Sequence, residues 1–138
     1  LAMAAVYYSP LQFMFWYDRP EFYKGEEELE FWKAIPSVWD DSRALDGEIG
    51  EYIIQARRSG NDWFVGAMTN TEARTVTVMT DFLEPGKKYT AHLYEDDDKL
   101  NTGTKVRTAH KKVKAGDKLI LKLKASGGAA LHFTPIEK

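Results

Sequence analysis

Four carboxylates crowd one tryptophan in the stretch IPSVWDDSRALDGEIG, residues 35–50. Asp40 and Asp41 follow Trp39 directly, and Asp46 and Glu48 come soon after. Asp18, at the end of the apolar run LQFMFWY, adds a fifth acid. Acids beside an aromatic are the raw material of glycosidic bond cleavage. That reaction needs two carboxylates placed across the scissile bond, at a separation set by its stereochemical outcome. The spacing here does not supply such a pair. Asp40 and Asp41 are adjacent, and adjacent residues on a strand point to opposite faces. They read as capping and hydrogen-bonding acids at a junction between two segments. Asp18 has two readings: a turn residue before Arg19-Pro20, which is favoured, or an acid at the C-terminal end of a barrel strand, where such folds place functional groups. No catalytic pair is assigned. Asp18 and Trp39 are the candidate substrate-binding residues, at the rim of an active site.

The remaining candidates are weaker. The run EDDD at 95–98 lacks the alternating acids and the glycine of a calcium loop, so a solvated turn is expected. His92, His110 and His132 are far apart in the chain and fall on outward-facing strand positions. That spacing argues against zinc, and no metal site is assigned. Gly127-Gly128 reads as a hairpin turn, not a phosphate loop. No serine sits in a nucleophile elbow. Trp39, Tyr52, Trp63, Phe64, Tyr89 and Tyr94 form either a sugar-stacking platform or the core of a sheet. The core is preferred, because each ring buries a large area.

The elements that must carry these residues fall into two kinds. Residues 1–8 are Ala-rich and end at Ser9-Pro10, which stops a helix. Residues 11–17 are a short continuous apolar run, as for a strand buried on both faces. Residues 26–35 return to helical spacing, with Glu26, Glu27 and Glu28 in a first turn that favours anions. Leu29, Trp32 and then Ile35 or Pro36 are expected to face inward. From Val38 the period changes to two. Eight strands are expected, near 38–44, 50–58, 62–69, 74–80, 88–95, 104–113, 117–124 and 129–134, separated by Gly, Asn, Asp and Pro turns. Leu119, Leu121 and Leu123 alternate with Lys118, Lys122 and Lys124 on the opposite side, as in an antiparallel sandwich. The expectation is a mainly β chain: a Greek-key antiparallel β-sandwich over 38–138, preceded by a short α/β remnant of a (β/α)8 barrel over 1–37.

Bulk properties set the limits. The 138 residues suffice for one domain with a real core. A net charge of −2 gives no reason to expect nucleic acid. It is unevenly spread, −5 over residues 1–47 and +3 over 48–138, and the change falls at the acidic stretch. No cysteine is present, so no disulfide or thiolate site forms. The apolar start is too short and too interrupted by Ser9, Pro10 and Gln12 to cross a membrane. It also lacks the flanks of a signal peptide. It reads as a buried segment of a larger domain, which left uncovered would drive self-association through residues 1–17.

Several pieces resemble one family. YSPLQ at 8–12, PSVWDD at 36–41, GEY at 50–52, ARR at 56–58 and WFVGAMTN at 63–70 look like the C-terminal part of glycoside hydrolase family 97. These are bacterial α-glucosidases and α-galactosidases, and the match runs essentially end to end. The resemblance implies an N-terminal β-supersandwich, a catalytic (β/α)8 barrel and a C-terminal β-sandwich. This chain would then hold the last barrel elements and the whole sandwich, with the barrel as its partner and oligosaccharide met only through the longer enzyme. The resemblance also implies calcium and the catalytic glutamates upstream, with none mapping onto these residues, and a periplasmic enzyme. Two roles follow as expectations: a non-catalytic domain supporting the barrel, or a carbohydrate-binding module.

Overall fold

The computed structural model describes residues 1–9, 21 and 27–136. Two short helices, α1 (Ala2–Val6) and α2 (Leu29–Ala34), precede eight strands: β1 (Asp41–Glu48), β2 (Tyr52–Ser59), β3 (Asp62–Thr69), β4 (Arg74–Met79), β5 (Lys88–Asp96), β6 (Val106–Lys114), β7 (Lys118–Leu123) and β8 (Gly128–Pro135). They form an antiparallel sandwich of unequal layers. One sheet has six strands in the order β1-β2-β3-β8-β5-β6, and the other is the pair β4-β7. The expected strand at 11–17 and Asp18 lie outside the described residues.

Alternation builds the core between the layers. In β7 the residues Leu119, Leu121 and Leu123 point inward while Lys118, Ile120 and Lys122 stay exposed. They meet Val76 and Val78 of β4 and, from the large sheet, Ile54, Val65, Leu131 and Phe133. The central strands β3 and β8 are different. Their middle five residues are buried on both faces, because α1 and α2 cover the side away from β4-β7. A continuous apolar run, WFVGA, is what a doubly covered strand requires.

The structure changes several expectations. The first strand begins at Asp41 rather than 38, and Val38 is exposed. β1 is an edge strand with a bulge between Ala44 and Asp46, so it lacks the alternation that marks the other strands. Gly127-Gly128 does not make a hairpin. It belongs to an arch that carries the chain from β7 in one sheet to β8 in the other. Nor is 95–98 simply a solvated turn: Glu95 and Asp96 end β5. The Glu95 carboxylate is buried and accepts from Arg107 Nη2 at 2.6 Å and from the Lys122 amide at 3.3 Å, linking the two sheets. Only Asp97 and Asp98 fall in the turn, where Asp97 accepts from the Lys99 amide and Asp98 pairs with Lys124.

Candidate functional site

The acids of the opening stretch do not converge. Asp40 Oδ2 accepts from the Gly60 amide at 2.7 Å and lies 3.6 Å from Arg58. Asp41 binds Arg43 through Nε and Nη2, and this arginine holds its carboxyl below the usual range. Asp46 accepts from the Gly47 amide and from the Tyr52 hydroxyl at 3.0 Å. Asp40, Asp41 and Asp46 each brace the β1 edge locally.

The built site is on the outer face of the large sheet, where α1 docks. Two consecutive arginines on β2 must point to opposite faces, and Arg57 points outward, under α1. It is only 3% exposed. Its Nε donates to Ala5 O at 2.6 Å and its Nη2 to Val6 O at 2.9 Å, while Nη1 donates to Ser42 Oγ at 2.9 Å. The last carbonyls of a helix have no partner within it, and the planar guanidinium fork satisfies two of them. The rings of Tyr8 and Trp39 lie 5.1 and 5.9 Å from the guanidinium carbon. Burial pulls the Arg57 pKa down from its ordinary value, and Tyr8 opposes that in part.

Small residues set how closely α1 approaches. A Cβ added at Gly66 would lie 2.5 Å from Ala2 O and 2.8 Å from Val6 Cγ2. One added at Gly128 would lie 3.1 Å from Ala2 Cβ. Beside α1, α2 inserts Phe31, which is fully buried. Its ring meets Phe64 at 5.9 Å and Tyr94 at 5.4 Å, both edge-on. Of the expected inward set, Trp32 and Ile35 pack half-buried against this cluster; what the expectation lacked is Phe31, the fully buried residue that α2 seats between Phe64, Tyr94 and Ala130. The Glu27 carboxylate accepts from the Thr108 hydroxyl of β6 and anchors the start of the same element.

Trp39 closes this cluster. Its ring packs edge-on against Phe64 at 5.5 Å, and its Nε1 is buried without a hydrogen-bond partner among the described residues, as is Glu28 Oε1. Of the six aromatics that could have formed a platform, Trp63, Phe64, Tyr89 and Tyr94 are buried. Asp18, the other candidate rim residue, lies outside the described residues. For residues 1–9 the expected uncovered apolar start is corrected. Ala2, Ala4 and Ala5 are buried on the sheet, while Met3, Tyr7 and Tyr8 stay exposed.

Strand register assembles one more group. His110, His92 and His132 stand opposite one another across β6, β5 and β8, with ring centroids 4.4 and 5.9 Å apart. Distance in sequence had hidden this row. His132, 8% exposed, stacks on Phe64 at 4.3 Å and donates through Nε2 to Asp62 Oδ2 at 2.8 Å. Among the described residues no group of three or more His, Asp or Glu is arranged to hold a metal ion. Burial, then His110 and His132, push the His92 pKa below its ordinary 6.5, against a smaller opposing pull from Asp62. The unfolded chain therefore takes up that proton more readily. Stability is complete above about pH 6.5 and is lost as pH falls through the lowered folded value. Urea titrations between about pH 7.5 and 5 are expected to show this loss, and His92→Gln should flatten it; an equal slope in both proteins would remove His92 as the cause.

Residues 38–134 match the family described as Glycosyl-hydrolase 97 C-terminal, oligomerisation. A retaining alpha-galactosidase of Bacteroides thetaiotaomicron is 38% identical over 135 residues, 96% of this chain and 20% of that protein. Among solved structures, a glycoside hydrolase family 97 enzyme in complex with acarbose, from Pseudoalteromonas sp. strain K8, superimposes with a TM-score of 0.85 at 37% identity. It covers 99% of this chain and 22% of that one. A beta-arabinopyranosidase matches with a TM-score of 0.64 at 27% identity, over 83% of this chain and 18% of that one. The chain thus spans about a fifth of the relatives it matches.

Proposed function

Because the chain belongs to the C-terminal domain family of glycoside hydrolase family 97, we propose that it serves a longer α-glycosidase as a non-catalytic β-sandwich that holds the catalytic barrel and joins copies of the enzyme. The observation that carries this reading is the Arg57 clasp. A buried cation, two glycine-lined approaches and the Phe31 socket are spent on docking α1 and α2, and none of them lies beside a paired-acid site. The helices so held are the last elements of the barrel. Trp39 Nε1 and Glu28 Oε1, buried without partners among the described residues, are polar atoms that a neighbouring domain could satisfy. The substrate class of the whole enzyme is a terminal α-galactosidic bond, supported by the retaining alpha-galactosidase that aligns with nearly this entire chain. An α-glucosidic bond is the second choice, supported by the acarbose-bound relative. Calcium in the upstream part of the longer enzyme and a periplasmic location complete the proposal, both resting on the family resemblance alone.

Two measurements test the reading. The purified chain, with calcium present, should not turn over aryl α-galactoside or α-glucoside; turnover abolished by Asp18→Asn or Asp40→Asn would reverse the assignment. Light scattering should give a mass above that of one chain.

A further inference from the structure

We propose that His92 and His110 together chelate one late first-row divalent metal ion, copper(II) most tightly, as a clip that holds the edge strand β6 to β5. The two residues stand directly opposite each other across these strands, so their side chains leave the sheet on the same face. Their ring centroids are 4.4 Å apart. Metal–nitrogen bonds of about 2.0–2.1 Å place the centroids of two imidazoles on one ion about 4.5 Å apart at a right angle, and about 5.2 Å apart at the tetrahedral angle. The observed separation suits the right angle, the geometry that copper(II) and nickel(II) take with nitrogen ligands.

The pair is available to an ion. His110 is exposed and His92 half-buried, and the ring nitrogens of both lack hydrogen-bond partners among the described residues. Metal binds the neutral imidazole, and burial, then His110 and His132, already push the His92 pKa below its ordinary 6.5, against a smaller pull from Asp62. Charge beside the pair is mixed. Glu27, bonded to Thr108, lies on one side of His110, and Lys112 lies on the other. Water completes the coordination.

The third histidine of the row stays outside. β5 separates β6 from β8, which sets His110 and His132 about 9.5 Å apart at two strand spacings. Two imidazoles on one ion reach only about 6.4 Å between centroids even when opposite, so one ion takes neighbours alone. His132 is the poorer neighbour of His92: its centroid is 5.9 Å away, its Nε2 is held by Asp62, and its ring is buried against Phe64. A chelate across β5 and β6 has a structural use. β6 is paired on one side only, and an ion bound to the folded pair alone would hold that edge against local opening.

Calorimetric titration of the metal-free chain with copper(II), in a weakly coordinating buffer, tests this. One ion per chain should bind with a Kd on the order of 10 μM, zinc should bind more weakly, and the paramagnetic resonance spectrum should show coupling to two imidazole nitrogens. His110→Gln should weaken copper binding by ~50-fold and His92→Gln by a similar factor, while Lys112→Gln leaves it unchanged. Because His110 is exposed, His110→Gln should keep the native melting temperature without metal, which separates a lost ligand from a lost fold. Copper should raise the melting temperature of the native chain and leave that of His110→Gln in place. Equal affinity in His110→Gln, loss in one histidine variant but not in the other, a spectrum with fewer than two nitrogens, or no binding up to roughly 1 mM would each overturn the proposal.

Discussion

Replacing Arg57 with alanine should lower the unfolding free energy by about 3 kcal/mol, the scale for removing one partner from a buried charge-assisted network. The loss has three parts. Ala5 O and Val6 O lose their donors in a place that water does not easily reach. Ser42 Oγ, on β1, loses its donor. The space between Tyr8 and Trp39 is left empty. For a domain of this size the melting temperature should fall by about 10 °C. Arg57→Lys keeps the charge but cannot donate in two parallel directions, so it should recover less than half of the loss. Hydrogen exchange locates the effect: amides of residues 4–9 should lose protection first, while those of β7 hold. A variant with the native melting temperature and unchanged exchange in that segment would show that the clasp contributes nothing.

Gly66→Val should cost a similar amount, ~2–4 kcal/mol, for a different reason. Its Cβ would meet a backbone carbonyl, Ala2 O, at 2.5 Å, and a backbone atom cannot rotate aside as a side chain does. Helix α1 would have to rise off the sheet. The sheet itself should welcome the change, because glycine inside a strand weakens it and valine suits it. The test is therefore one of sign. In the chain as it stands, Gly66→Val should destabilise. After deletion of residues 1–9 the same substitution should become neutral or stabilising. Destabilisation of equal size in both backgrounds would mean that the clash with α1 is not the cause. Gly66→Val and Arg57→Ala act on the same docked helix, so their effects should fall short of additive.

The strands that alternate were legible in the sequence. In β7, Leu119, Leu121 and Leu123 against Lys118 and Lys122 left little doubt about face or period. β1 was misplaced by three residues because an exposed, bulged edge strand carries no such pattern. The arch at Gly127-Gly128 read as a hairpin, since a turn sequence does not say whether the next strand joins the same sheet. The histidine row was hidden for a related reason: register, not chain distance, makes neighbours of His92, His110 and His132. Arg57 and Phe31 were missed although signals existed. Paired arginines in mid-strand force one cation onto each face, and a strand as continuously apolar as WFVGA announces cover on both sides. The acids of the opening stretch brace the edge of the sandwich, and the clasp that seats α1 on the sheet is made by a cation instead.

The position of β8 has a consequence for synthesis. β8, the last in sequence of the eight strands described, lies in the middle of the large sheet, between β3 and β5. Until it leaves the ribosome, β1-β2-β3 and β5-β6 are two separate ribbons with open edges, and the socket that receives Phe31 lacks its Ala130 wall. Closure of the sheet thus waits for β8, and a chain broken off before Gly128 cannot join the two ribbons into one sheet. The arrangement makes β8 the piece on which helix α2 waits, since Phe31 finds its seat between Phe64, Tyr94 and Ala130 only once that strand has joined the two ribbons.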